Sequence, residues 1–135
     1  MIIHHTVSSR DRTTVDDINE WHRYKSFKSS LGYYVGYHFV ITGDGKITQC
    51  RGLLEDGAHT RGQNHKIGVV LTGNFEKELP SMAQIKSLLL ILKDDFSTHK
   101  DYAATLCPGK NLLLVLTFLK YWLRLDNNIR ELFRG

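Results

Sequence analysis

Tyr33-Tyr34-Val35-Gly36-Tyr37-His38-Phe39-Val40-Ile41-Thr42 is followed at once by Gly43-Asp44-Gly45, and Lys46 to Arg51 comes next. The first run is rich in aromatic and β-branched side chains, which pack well on a pleated surface. Gly-Asp-Gly tolerates the positive φ of a tight hairpin turn. The stretch predicts a strand over 33–42, a hairpin, and a returning strand over 46–51. Hairpin partners run antiparallel, so the sheet they join is not purely parallel. Side chains alternate faces along a strand. Tyr37 and His38 are therefore expected to point opposite ways, one toward a site and the other into the core or a loop.

Upstream, Ile2 to Val7 reads as a short first strand. Thr13-Thr14-Val-Asp-Asp is a helix start, with a threonine cap and acids in the first turn. Val15, Ile18, Trp21, His22 and Tyr24 recur at helical spacing and carry the helix to about Phe27 or Lys28. Downstream, residues 52–66 have no period and read as a long functional loop. Ile67 to Thr72 is a short apolar run, expected as a buried central strand. Ser81 caps a helix whose stripe is Ile85, Leu88, Leu89, Leu92 and Phe96. A third helix is expected over Asn111–Leu125, with Asn111 a possible cap, and a further helical turn or two over 127–133. The order β, α, hairpin, loop, β, α, loop, α predicts an α/β (mixed α+β) single domain over residues 1–135. Its central mixed sheet is flanked by about three helices.

At 135 residues, 41% hydrophobic and 24% charged, the chain can bury a real core and is not disordered. The net charge is +4, but the basic residues are scattered. That pattern speaks against nucleic acid and leaves a solvated surface, an anionic membrane or an anionic polymer such as bacterial cell wall. Cys50 and Cys107 do not make a disulfide framework, and Cys50 reads as a small apolar residue of a strand. Met1-Ile-Ile-His-His has no basic n-region and no long apolar core, so synthesis in the cytoplasm without a signal peptide is expected. Leu112–Leu116, extended by Phe118 and Leu119, is too short to span a bilayer, and no stable membrane anchor is expected. It reads as a helix buried on several sides, or else as a dimer surface or membrane contact.

The loop His99-Lys-Asp-Tyr-Ala-Ala-Thr105-Leu-Cys107-Pro-Gly109 carries an imidazole and a thiol, the donors Zn²⁺ prefers. A catalytic zinc site needs a third protein ligand. His4, His5, His22, His38, His59 and His65 remain, and the end of the first strand is the best-placed source. Alternation lets only one of His4 and His5 face the site, and spacing alone does not choose between them.

Four segments together bear a resemblance. They are Ile2-Ile-His4-His-Thr, Val35-Gly-Tyr37-His-Phe-Val-Ile with the Asp44-Gly45 turn, Gly57-Ala-His59-Thr-Arg-Gly-Gln-Asn64 leading to Ile67-Gly-Val, and His99 to Cys107-Pro-Gly109. The chain resembles the zinc-dependent N-acetylmuramoyl-L-alanine amidases of the phage-lysozyme and peptidoglycan-recognition type. The resemblance implies a Zn²⁺ cofactor on His4, His99 and Cys107, with Tyr37 as an active-site residue. Some relatives carry lysine where Thr105 stands, so Thr105 is the second catalytic candidate. Cytosolic recycling relatives place glutamate where Val70 stands and aspartate where Cys107 stands, which sets this chain apart from them. His59, Arg61 and Asn64 are expected to line the substrate groove, with a folding role for their loop equally open.

The implied activity is hydrolysis of the bond between N-acetylmuramic acid and L-alanine in peptidoglycan. The implied mode is that of an endolysin, a monomer acting on the cell wall after release or delivery. A non-catalytic peptidoglycan-binding module and a zinc peptidase for another wall amide are the rival readings.

Overall fold

The computed structural model describes residues 1–125 and 131–132. Its strands are β1 (Ile2–His5), β2 (Phe39–Ile41), β3 (Ile47–Gln49), β4 (Gly68–Leu71) and β5 (Ser97–Thr98). Its helices are α1 (Val15–His22), α2 (Met82–Ile91) and α3 (Lys110–Leu123). The sheet order is β3-β2-β4-β1-β5. Only the β2–β3 hairpin is antiparallel; β2–β4, β4–β1 and β1–β5 are parallel. The mixed sheet and its helices are those expected of the α/β class. The turns expected over 127–133 lie outside the described residues, apart from Glu131 and Leu132, which are helical.

β1 and β4 are buried at every position. Central parallel strands are covered on both faces, so they read as continuous apolar runs. On one face Ile3, Ile41, Val69 and Leu71 meet Leu88 of α2 and Leu112, Leu116 and Leu119 of α3. On the other, Val40 and Val70 meet Ile18 of α1, with Val35 and Cys50. His4 pairs in register with Val70, which pairs with Val40. Side chains directly opposite one another share a face, so His4 stands on the α1 face.

Several boundaries differ from the sequence reading, each for a tertiary reason. α1 starts where expected: Thr14 and Asp17 exchange side-chain and backbone hydrogen bonds at 3.1 and 2.9 Å. It stops at His22, short of Phe27, because the following segment folds over Arg51. That guanidinium is fully buried. It donates to Val35 O at 2.7 Å, Ser26 Oγ at 2.8 Å and Phe27 O at 2.5 Å. Residues 33–37 do not join β2. Gly36 O accepts from Ala58 N of the long loop at 2.9 Å and Val35 O from the Arg51 side chain, while His38 N donates to Gly68 O and His38 O accepts from Cys50 N, beside β4 and β3. α2 ends at Ile91, not Phe96, although Leu92 and Phe96 still reach the core. The chain then forms β5, an edge strand absent from the sequence reading. α3 begins one residue before Asn111, with Gly109 at its cap in the left-handed region, φ 93°. A side chain on Gly109 would meet the Phe75 backbone at 2.6 Å.

Candidate metal centre

β5 lies beside β1 with Thr98 opposite Ile3. The next residue, His99, therefore emerges next to His4, and the two rings stand 4.7 Å apart. The loop then returns Cys107 to the same point. Its Sγ lies 3.7 Å from His4 Nδ1 and accepts the His5 N–H at 3.4 Å. Donor atoms of His4, His99 and Cys107 all lie within 4.8 Å of one another. Zinc bonds of about 2.0–2.1 Å to nitrogen and 2.3 Å to sulfur at a tetrahedral angle would separate nitrogen and sulfur by about 3.5 Å. The 3.7 Å pair fits that spacing.

Protonation suits the same role. Burial first, then the neighbouring His59, His99 and His5, holds His4 well below the usual histidine range. Burial also lowers His99. Both imidazoles are thus neutral near pH 7, with a lone pair to offer. Burial pushes the Cys107 thiol up to about 11, against the opposing pull of the His5 N–H. A thiol in that position ionises when a cation is bound beside it.

The orientation of His4 is set from behind. His59 Nε2 lies 2.8 Å from Lys66 O. A carbonyl only accepts, so His59 carries its hydrogen on Nε2. Burial holds His59 down at about 4, so the ring is neutral and its Nδ1 is an acceptor. His4 Nε2 lies 3.0 Å from that Nδ1 and 3.2 Å from Thr60 Oγ1. His4 therefore carries its hydrogen on Nε2, which leaves the Nδ1 lone pair facing Cys107 Sγ. The His59 ring lies against Gly57 and Gly68, where an added Cβ would stand 2.5 Å from its Cδ2 in either case. Partners of this kind typically contribute 10–100-fold to metal affinity. His59→Ala should weaken Zn²⁺ binding by about that factor in competition with a chelating dye. His59→Asn, whose amide oxygen can accept where Nδ1 did, should recover part of it. Equal affinity in all three proteins would show that His59 does not orient His4.

Residues 1–110 match the family model described as N-acetylmuramoyl-L-alanine amidase. The chain belongs to the N-acetylmuramoyl-L-alanine amidase family. It is 31% identical over 125 residues to peptidoglycan-recognition protein SC2 of Drosophila melanogaster, which covers 82% of this chain and 68% of that protein. It is 32% identical over 112 residues to the endolysin of Enterobacteria phage T3, covering 73% and 71% of the two. The solved structure of N-acetylmuramoyl-L-alanine amidase LysC from Clostridium intestinale URNW matches with a TM-score of 0.73. The identity there is 30%, over 87% of this chain and 82% of that one.

Around the centre of this amidase-family chain, the Tyr37 ring lies 5.1 Å from His4 and 5.5 Å from His22. Burial, then the Cys107 charge, holds its phenol above the ordinary tyrosine range. The His38 ring stands 5.8 Å from His59 and is engaged by backbone groups. Its Nε2 donates to Glu55 O at 2.7 Å and its Nδ1 accepts from Gly68 N at 3.0 Å. His5 is also engaged away from the centre, with Nδ1 accepting the Phe75 N–H at 3.1 Å. Thr105 Oγ1 accepts the Cys107 N–H at 3.2 Å, bracing the loop.

The three residues expected in the groove separate. His59 is buried behind His4. Asn64 Oδ1 accepts the His59 and Thr60 N–H groups at 2.7 and 2.8 Å, holding the loop shut. Arg61 is exposed. Sequence reasoning passed over His22, which lines a pocket of about 200 Å³ with Lys25, Ser26, Tyr37, Ala58 and His59. Its only sequence signal was a place on the α1 helix, which does not say what the helix faces.

Proposed function

We propose that this protein hydrolyses the amide between N-acetylmuramic acid and L-alanine in peptidoglycan, with Zn²⁺ on His4, His99 and Cys107. One observation carries the reading. Two imidazoles and a thiol converge within 4.8 Å on one sheet face beside Tyr37, in a chain of the amidase family. The catalytic unit is taken as residues 1–135, a monomer. Similarity to a phage endolysin supports action on the cell wall after release or delivery.

Zinc bound there supplies a Lewis acid and a water of lowered pKa. The protein's own groups do the rest. His59 and Thr60 hold the His4 ring, and the His5 N–H holds the Cys107 sulfur. Tyr37 keeps its proton at neutral pH and donates a hydrogen bond to the carbonyl oxygen as charge develops there. Thr105, already accepting from Cys107 N, still has a hydroxyl proton to donate, although it brings no charge. Val70 is fully buried and carries no acid. The leaving amine therefore takes its proton from the attacking water, relayed through the Tyr37 hydroxyl or a second water. Arg61, exposed on the long loop, is the groove residue best suited to a carboxylate of the stem peptide.

The test is digestion of purified cell wall with and without a chelator, with the fragments read by mass spectrometry. New free L-alanine N-termini that disappear with chelator and return with Zn²⁺ are expected. Termini at another residue would favour the peptidase reading, and undiminished activity in chelator would refute the zinc mechanism. Tight wall binding without cleavage would favour the recognition reading, which the similarity to peptidoglycan-recognition protein SC2 supports as second choice.

A further inference from the structure

On the sheet face opposite His4, α2 and α3 leave an outward groove of about 620 Å³ lined only by apolar side chains, among them Ile85, Leu89 and Val115. Around it Met82, Leu90, Leu114 and Phe118 are 67, 81, 72 and 64% exposed. Leu79 extends the patch past the start of α2. A contiguous apolar surface of this kind marks a contact with something else.

The charges choose the partner. Within α2 the only charged residue is Lys86, and within α3 only Lys110, at the first position, and Lys120. Neither helix contains an acid, in a chain with 14 Asp and Glu. The acids flanking α2 in sequence are Glu76, Glu78, Asp94 and Asp95, and those flanking α3 are Asp101 and Asp126. All lie outside the two helices, and the Glu76 carboxylate accepts the Lys110 backbone N–H at 2.6 Å at the start of α3. Lys86 shares a helical stripe with Met82 and Leu90, and Lys110 with Leu114 and Phe118. Lysine stems lie along apolar surface while their ammonium groups reach outward. A second copy would bring the same cations together. Anionic lipid headgroups would instead neutralise them while the leucines and Phe118 enter the acyl boundary.

We infer that the α2–α3 face is a reversible docking surface for an anionic lipid bilayer. No helix among the described residues is long and apolar enough to cross a membrane, so the two helices lie on the surface. The central sheet separates this face from His4. A molecule docked this way turns its candidate centre away from the lipid.

The test is co-sedimentation of the full chain with phosphatidylglycerol vesicles and with phosphatidylcholine vesicles, with light scattering of the free protein. Binding to the anionic vesicles, weakened by salt, and little binding to the zwitterionic ones is expected. Leu114→Glu/Phe118→Glu should lower partitioning at least about tenfold. Lys86→Glu/Lys110→Glu should lower it about 25-fold or more, at about fivefold per lysine. Cleavage of a soluble muropeptide should be unchanged in both variants, which keeps this inference separate from the proposed activity. No binding to anionic vesicles, or equal binding to both kinds, overturns it. So does a dimer that Leu114→Glu/Phe118→Glu dissociates, which would assign the face to a second copy. A melting temperature several degrees lower in that variant would mean the face is covered by the chain itself, and would overturn the inference as well.

Discussion

Cys107→Ala is expected to abolish wall hydrolysis and to erase the response of the melting temperature to zinc. The thiol is one of three donors, and a catalytic zinc keeps three protein ligands with one open position. With Cys107 gone, two imidazoles remain, and the only group able to neutralise part of the ion's charge is lost. Metal-ion catalysis contributes several kcal/mol to the transition state, so turnover should fall by at least about 10³-fold at 1.36 kcal/mol per decade. Stability separates a metal role from mere packing. Zinc at 100 times its Kd would stabilise the native protein by about 2.7 kcal/mol, or roughly 5–10 °C in a chain of this size. That gap between zinc-loaded and chelated protein should be present in the parent chain and absent in Cys107→Ala. The chelated proteins should melt close together, because the residue is only half-buried and its sulfur contacts are few. A variant whose melting temperature still rises with zinc would remove Cys107 from the ligand set.

What could be read from the sequence follows the reach of the forces involved. β4 is legible because a strand covered on both faces must be apolar throughout, and Gly68–Leu71 is. The α1 start is legible because Thr14 and Asp17 are three residues apart and their bonds are local. The α1 end is not, since it depends on Arg51 reaching Ser26 and Phe27 across about 25 positions. β5 is hidden for a similar reason. Ser97-Thr98 has no pattern of its own and becomes a strand because β1 offers it an edge. Leu92 and Phe96 continued the apolar stripe by coincidence of spacing, reaching the same core from outside the helix.

The candidate centre divides along the same line. His99 and Cys107 share one loop, so their association is visible in a short stretch. The choice between His4 and His5 needs the far side of the molecule. His4 is aimed by His59, and His5 is engaged by the Phe75 N–H, 70 positions away. His59 itself reads as a groove residue because its loop is polar and glycine-rich. Only the geometry shows that Gly57 and Gly68 make room for its ring behind His4.

Tyr37→Phe should lower kcat by about 10²–10³-fold, the usual consequence of removing one donor to a developing oxyanion, while zinc affinity and KM change little. The ring lies between His4 and His22, at 5.1 and 5.5 Å, and phenylalanine keeps those contacts. Only the hydroxyl is lost. Its proton is secure in the parent chain, because burial disfavours the phenolate. The same group is the proposed relay to the leaving amine, since Val70 offers no acid in the adjoining strand. Loss of both roles would leave Thr105 and water to serve, and Thr105 already spends its acceptor side on Cys107 N. Kinetics on a soluble muropeptide, paired with the zinc competition assay, decide the matter. Full turnover in the variant would remove Tyr37 from the chemistry. A loss of zinc equal to the loss of turnover would make its hydroxyl part of the metal's support instead.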